Sequence, residues 1–120
     1  MSLLRTLGQL SLSSIFITGG SQAFLVPGNR VKTVAKAGLP EPEMMVVING
    51  AVMVIGGTLL ALDIAPKLTA SALIGSLVPT TLVGHAFWKE ESEAACKAQQ
   101  TQFMKNLSLI GGLLLVLAEK

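Results

Sequence analysis

Apolar and polar residues alternate in long blocks along this chain, and four of the blocks are apolar stretches long enough to be helical spans. Charged or helix-breaking residues bound them, such as Arg5 before the first and Lys89-Glu90-Glu91 after the third. An α-helix needs about 20 predominantly apolar residues to cross the hydrocarbon core of a bilayer. The pattern therefore predicts one domain, residues 1–120, with spans at about 7–26, 44–62, 68–88 and 103–118.

A short basic segment separates the first two spans. Pro27-Gly28-Asn29 breaks the first helix, and Val31, Val34 and Ala35 then follow at helical spacing among cations. We expect a short amphipathic helix at the membrane interface, with an ordinary solvated loop as the alternative. The fold class is thus predicted as all-α: a membrane four-helix bundle, up-down-up-down, with a short amphipathic helix in the first loop.

The first span admits two further interpretations. Its basic start and Ser21-Gln22-Ala23 also match a cleaved signal peptide. If it is retained, a polar stripe of Ser14, Thr18, Ser21 and Gln22 lies on one helical face. Unsatisfied polar groups in hydrocarbon cost several kcal/mol, so this stripe is expected to face other helices.

Composition excludes several classes of protein. Half of the chain is apolar (51%) and only 13% is charged, whereas a soluble domain carries roughly 25% charged residues. The net charge of +2 with no basic patch argues against a nucleic-acid partner. One cysteine and one histidine form no disulfide, redox pair or metal motif. With no catalytic set or phosphate loop visible, we predict no catalytic or metal-binding residues, and activity of the chain as an enzyme on its own is not expected.

Polar residues of the predicted spans collect toward one end of such a bundle. Within the third span, Thr81, His85 and Trp88 are spaced to share a helical face. Polar groups inside a membrane are costly and usually belong to a functional site. We therefore predict a ligand-binding polar pocket at this end. The alternative is that the side chains satisfy one another and lipid headgroups. The candidates are Ser21, Gln22, Asn49, Thr81, His85, Trp88, Gln102 and Asn106.

The distribution of cations predicts an orientation. With four spans, the side with both termini carries three cations, and the side with the first and third loops carries six. The positive-inside rule then places the first and third loops in the cytoplasm and both termini outside.

Several segments, in this order and spacing, resemble the DoxX family of small bacterial membrane proteins. The resemblance covers nearly the whole chain. The segments are Arg5 before Ser14-Ile15-Phe16-Ile17-Thr18-Gly19-Gly20, Gly38-Leu39-Pro40, Gly56-Gly57-Thr58-Leu59-Leu60-Ala61-Leu62, His85-Ala86-Phe87-Trp88, and Phe103-Met104-Lys105-Asn106-Leu107 running into Gly111-Gly112.

The resemblance implies a four-helix protein of the bacterial plasma membrane. Some relatives are subunits of a quinone-linked thiosulfate oxidoreductase, and some associate with redox-defence proteins. It therefore implies an accessory subunit with membrane partner subunits and quinone as the ligand. We expect no cofactor that is bound covalently or through a sequence motif. Relatives often carry an acidic residue early in the second span, where this chain has Asn49. The alternatives are a binder or carrier of an apolar molecule, such as a lipid or quinone, and a purely structural helical subunit.

Overall fold

A computed structural model describes residues 2–119, and this part of the chain is helical with no strand. The all-α prediction is confirmed, and the short helix expected in the first loop is present as α2. A 3₁₀ turn, Phe87–Lys89, separates the last two helices. The five α-helices are α1 Leu3–Leu25, α2 Gly28–Lys36, α3 Pro42–Ala61, α4 Pro66–Gly84 and α5 Glu93–Ala118.

Local sequence explains where the long helices begin. The Ser2 hydroxyl accepts a hydrogen bond from the Arg5 amide at 3.1 Å, and Ser92 caps α5 in the same way through Ala95. Such caps satisfy amides that have no partner within the helix. α3 and α4 begin with Pro42 and Pro66, and proline suits the first helical turn because no hydrogen bond from its nitrogen is needed there.

Three segments are long and apolar enough to cross a membrane: Pro42–Ala61, Pro66–Lys89 and Glu93–Ala118. The second combines α4 with the 3₁₀ turn, and the third begins about ten residues before the predicted fourth span. α1 meets the same criterion only together with α2, and the two helices are bent by 85°. The described chain therefore has three candidate spans, or four if the bent pair counts as one.

α3 is the central helix of the bundle, because it packs against α1 on one side and α4 on the other, while α5 packs mainly against α4. The core lies between these helices. Large apolar side chains also cover the outside, where Leu4 is 82% and Leu115 is 71% exposed. An apolar exterior around a packed interior is the surface that lipid solvates. The buried core consists of Phe16, Met53, Leu60, Ala70, Leu73, Leu77, Leu113 and Val116.

Glycines bring α1 and α3 into backbone contact. A Cβ atom at Gly20 would lie 2.7 Å from the Gly50 carbonyl oxygen, and one at Gly50 would lie 2.8 Å from that of Gly20. Further along, a Cβ at Gly57 would lie 3.2 Å from the Ser13 carbonyl oxygen. These distances leave no room for a side chain, so the closest helix pair of the bundle depends on glycine.

The polar stripe of α1 faces away from the bundle, and the prediction that it contacts the other helices of this chain was wrong. Ser14, Thr18 and Gln22 are exposed and Ser21 is half-buried. The Ser14 and Thr18 hydroxyls donate to carbonyls of their own helix, at Ser11 and Ser14. Because the hydroxyls are satisfied locally, they need no neighbouring helix. The face of α1 that packs against the other helices is a different one. It consists of the buried residues Gln9, Ser13, Phe16, Gly20 and Ala23.

We expect Gly20→Ala to lower the free energy of unfolding by about 1–3 kcal/mol, because the added methyl group meets the backbone of α3. Gly19→Ala is the matched control, since nothing lies within 4 Å of a Cβ there. It should be neutral or stabilising by up to about 1 kcal/mol through helix propensity. Thermal unfolding of the purified protein in one detergent measures both, and equal effects would contradict the proposed contact.

Candidate functional site

Asn49 of α3 is hydrogen-bonded to α4 through both atoms of its amide. Its nitrogen donates to the Thr80 hydroxyl at 2.9 Å, and its oxygen accepts a hydrogen bond from the Ser76 hydroxyl. Ser76 is buried, whereas Asn49 and Thr80 are partly buried. An amide suits this place because it donates and accepts at once, whereas an ionised carboxylate only accepts.

The same part of α4 is hydrogen-bonded to α5. The Asn106 nitrogen donates at 3.0 Å to the buried hydroxyl of Thr81, which itself donates to the Leu77 carbonyl at 2.7 Å. Pro79 directly precedes Thr80 and Thr81 and has no N–H to donate within the helix. We call Asn49, Ser76, Thr80, Thr81 and Asn106 the amide–hydroxyl cluster. It joins α3, α4 and α5 within about one turn of α4.

His85 follows the last residue of α4 rather than lying one turn inside the helix, as the sequence had suggested. It is half-buried, and its Nδ1 lies 2.8 Å from Oε1 of Gln99 on α5. Because an amide oxygen only accepts, Nδ1 is the donor in this contact, and the neutral tautomer that matches it has its lone pair on Nε2. Two other predicted pocket residues do not reach His85, because Gln102 is exposed and Asn106 binds Thr81. Gln99 belongs to the polar segment before the predicted fourth span, which is why sequence reasoning missed it.

Trp88 lies on the 3₁₀ turn, so the expectation that it shares a helical face with Thr81 and His85 was wrong. It forms instead an aromatic cluster with Phe87 and Phe103. The three rings meet edge to face, with centroids 5.2–6.0 Å apart. Trp88 remains 52% exposed. The 3₁₀ turn thus places an apolar aromatic surface two residues after His85.

Two other predicted residues lie at this end without joining the cluster. Ser21 is half-buried and Gln22 is exposed near the end of α1. Within residues 2–119, neither side chain makes a hydrogen bond to another helix. The end of the bundle that holds His85 and the amide–hydroxyl cluster is called the His85 end below.

The opposite end is also polar, although the sequence analysis predicts that polar residues of the spans collect at the His85 end. Arg5 donates from Nη1 to Asp63 at 3.3 Å and from Nε to Glu119. This ion cluster (Arg5, Asp63, Glu119) connects the start of α1, the turn after α3 and the end of α5. A groove of about 480 Å³ lies beside it. The groove is lined by Arg5, Ala65, Pro66, Lys67, Leu68 and Glu119.

Buried Gln9, only 3% exposed, supports the turn that presents Asp63. Its nitrogen donates to the Leu60 carbonyl at 2.8 Å and to Asp63 at 3.1 Å. The turn needs support because Asp63 and Ala65 have φ angles of 58° and 44°, which are unfavourable for residues with a Cβ atom. The oxygens of Gln9 and of fully buried Ser13 have no hydrogen-bond partner within residues 2–119. The α1–α3 interface is therefore polar at this end.

Metal ligation has no candidate in the described chain. Residues 2–119 contain no group of three His, Cys, Asp or Glu side chains that could hold an ion. Cys96 is half-buried near the start of α5. The chemistry available at the His85 end is hydrogen bonding by one imidazole beside aromatic rings.

Comparison with known families gives one match. The family model described as DoxX matches residues 4–86, which contain α1 to α4 and His85. α5 lies beyond the matched region, and with it Gln99, Phe103 and Asn106. Comparisons with curated proteins and with solved structures gave no match.

We expect Asn49→Ala to lower the free energy of unfolding by about 1–2 kcal/mol, because it removes two hydrogen bonds between α3 and α4. Thr18→Val is the matched control, since that hydroxyl bonds only within its own helix, and it should cost less than about 0.5 kcal/mol. A double-mutant cycle of Asn49→Ala with Thr80→Val measures the coupling directly. We expect a coupling of about 0.6 kcal/mol or more, and additive effects would show that the contact contributes nothing.

Arg5→Gln should lower the free energy of unfolding by about 1 kcal/mol at low ionic strength, because it leaves Asp63 and Glu119 without their cation. The difference should shrink in concentrated salt, since the groups are partly exposed. Lys67→Gln removes the same charge at the same end, and Lys67 has no ion pair within residues 2–119. The free energy of unfolding of both variants is measured at two salt concentrations. An identical salt dependence of the two variants would argue against the ion cluster.

Proposed function

The chain belongs to the DoxX family, and from this premise we propose that it is an accessory subunit of a quinone-linked membrane redox complex. The family match and the apolar helices make it a small integral membrane protein. The redox association goes further. It is supported by the resemblance to subunits of quinone-linked oxidoreductases and by the chemistry available at the His85 end.

In this proposal the chain crosses the membrane four times, up-down-up-down, through α1, α3, α4 with its 3₁₀ turn, and α5. α1 is included because it packs along α3 through Gly20, Gly50 and Gly57. The membrane is the bacterial plasma membrane. The loop containing α2 and the loop after α4 face the cytoplasm, because most cations flank them, and both termini face outside.

The observation that carries the ligand proposal is the hydrogen bond from His85 to Gln99 beside the aromatic cluster. Gln99 accepts a hydrogen bond from Nδ1–H, and in that neutral tautomer of the imidazole Nε2 is an acceptor. A quinol hydroxyl can donate to Nε2 while the apolar ring packs against Phe87, Trp88 or Phe103. The quinone supplies the redox chemistry when it is bound, and this chain orients its polar head.

The amide–hydroxyl cluster has a supporting part in this proposal. Asn49, Thr80, Thr81 and Asn106 are already hydrogen-bonded to one another across the helices. Their role is to hold α3, α4 and α5 together below His85, so that Gln99 and the rings stay in place. Of the residues predicted to line a pocket, His85 and Trp88 would therefore touch the ligand, and Asn49, Thr81 and Asn106 would position them.

The test is purification of the native protein in a mild detergent, with identification of co-migrating chains and extraction of bound quinone. We expect a partner chain and close to one quinone per complex. With the ligand kept reduced, His85→Leu should lower quinol occupancy about tenfold, because it removes the hydrogen bond of about 1.4 kcal/mol that the quinol hydroxyl donates to Nε2. His85→Gln should be milder, since an amide retains a donor and an acceptor.

Leu115→Ala, on the exposed face of α5, controls for a general loss of stability in detergent and should retain quinone. A monodisperse protein without a partner or quinone would contradict the proposal. Stoichiometric lipid without a partner chain would favour a carrier of apolar molecules. An active parent complex whose activity is unchanged by His85→Ala and Asn49→Ala would favour a purely structural subunit.

A further inference from the structure

α2 carries three cations that form no ion pair in the part of the chain that the structure describes. Arg30, Lys32 and Lys36 lie on this nine-residue helix, which contains no acidic residue. Five carboxylates belong to the same end of the bundle, at Glu41, Glu43, Glu90, Glu91 and Glu93. Even so, none of the three cations forms an ion pair within residues 2–119, whereas nearby Lys97 pairs with Glu93 at 3.1 Å. The basic charge of α2 is therefore available to something outside the chain.

The orientation of α2 turns its cations away from the bundle. The helix packs against α3 and α4, and its half-buried residues are Val31 and Val34. Arg30, Lys32 and Lys36 are exposed. At 100° per residue, Arg30 lies about 70° from the centre of the valine pair, whereas Lys32 and Lys36 lie about 130° and about 170° from it. The two lysines therefore lie on the face of α2 opposite the valine strip, and a helix with one apolar and one basic face is typical of the surface of a membrane.

The angle between α1 and α2 suits the same surface. α2 turns from α1 by 85° at Val26 and Pro27, so it runs close to the membrane plane when α1 crosses the bilayer. Half-exposed Trp88 belongs to the same end of the bundle, and tryptophan favours the depth of the lipid headgroups. The cations of α2 are then positioned at headgroup level rather than in bulk water.

We propose that α2 is a binding site for anionic phospholipids, with Arg30, Lys32 and Lys36 contacting the headgroup phosphates. Charge complementarity selects this occupant, since α2 has three exposed cations without an ion pair in residues 2–119 and a valine strip that anchors the helix to the bundle. Each cation near an anionic surface strengthens binding about fivefold. The site is distinct from the His85–Gln99 contact, and it does not depend on which ligand binds there.

The experiment uses the full chain in a neutral detergent with an equimolar mixture of phosphatidylglycerol and phosphatidylcholine. Native mass spectrometry counts the molecules of each lipid retained per chain. The test variant combines Arg30→Gln, Lys32→Gln and Lys36→Gln. The matched control combines Lys89→Gln, Lys97→Gln and Lys105→Gln, which removes the same charge from the same end of the bundle. Circular dichroism and gel filtration confirm that each variant folds.

We expect wild type and the control to prefer phosphatidylglycerol, and the α2 variant to lose that preference by at least tenfold. In wild type, raising the salt concentration should weaken the preference, and free glycerol phosphate should not compete, because it lacks acyl chains. Equal loss in both triple variants, or no loss in the α2 variant, would overturn the proposal. Competition by glycerol phosphate would also overturn it, by showing a site for soluble anions. If the α2 variant fails to fold, two measurements on the wild type test the proposal by themselves: the salt dependence of the lipid preference and the competition by glycerol phosphate.

Discussion

The backbone contact between α1 and α3 is the constraint on which the rest of this structure depends. α1 meets the criterion of length and hydropathy for a membrane span only together with α2, and it carries an exposed polar stripe. Gly20 and Gly50 let the two helices approach until their carbonyl oxygens exclude a side chain. Van der Waals packing of this kind drives helix association in lipid, where the hydrophobic effect between helices is absent. α3 then presents its other face to α4, and α4 supports α5.

Hydrogen bonds and ion pairs hold the two ends of the bundle in different ways. At one end, Arg5 joins Asp63 and Glu119, and buried Gln9 supports the strained turn between them. At the other, Asn49 and Asn106 hold α4 from both sides through hydroxyls near Pro79. Among residues 2–119, His85 makes one side-chain hydrogen bond, from Nδ1 to Gln99, and Nε2 makes none. The His85 end is therefore the end where an uncommitted hydrogen-bonding atom lies beside aromatic rings.

Much of the helical fold follows from the sequence, because long apolar blocks and helix breakers are local signals. Asn49, Thr81 and Asn106 could be predicted as neighbours, since polar groups within apolar helices need partners. The end of α4 could not, because Ala86-Phe87-Trp88 continues the apolar run although the helix ends at Gly84. Because α4 ends there, Trp88 lies on a 3₁₀ turn and His85 contacts Gln99. The Arg5–Glu119 contact joins residues 114 positions apart. In the sequence, each of the two residues resembles an ordinary charged residue that flanks a span, so their contact could not be predicted. The stripe on α1 was misjudged because its hydroxyls satisfy themselves on carbonyls of α1.

The central claim is that α1 crosses the membrane as the partner of α3, and sidedness tests it most directly. In a Cys96→Ser background, single cysteines replace Leu3, Asn29, Lys67 and Glu91, and a membrane-impermeant maleimide is applied to sealed vesicles of each orientation. The account predicts that positions 29 and 91 react from one side of the membrane and positions 3 and 67 from the other. Reaction of positions 3 and 29 from the same side would contradict it, because α1 would then enter the membrane without crossing.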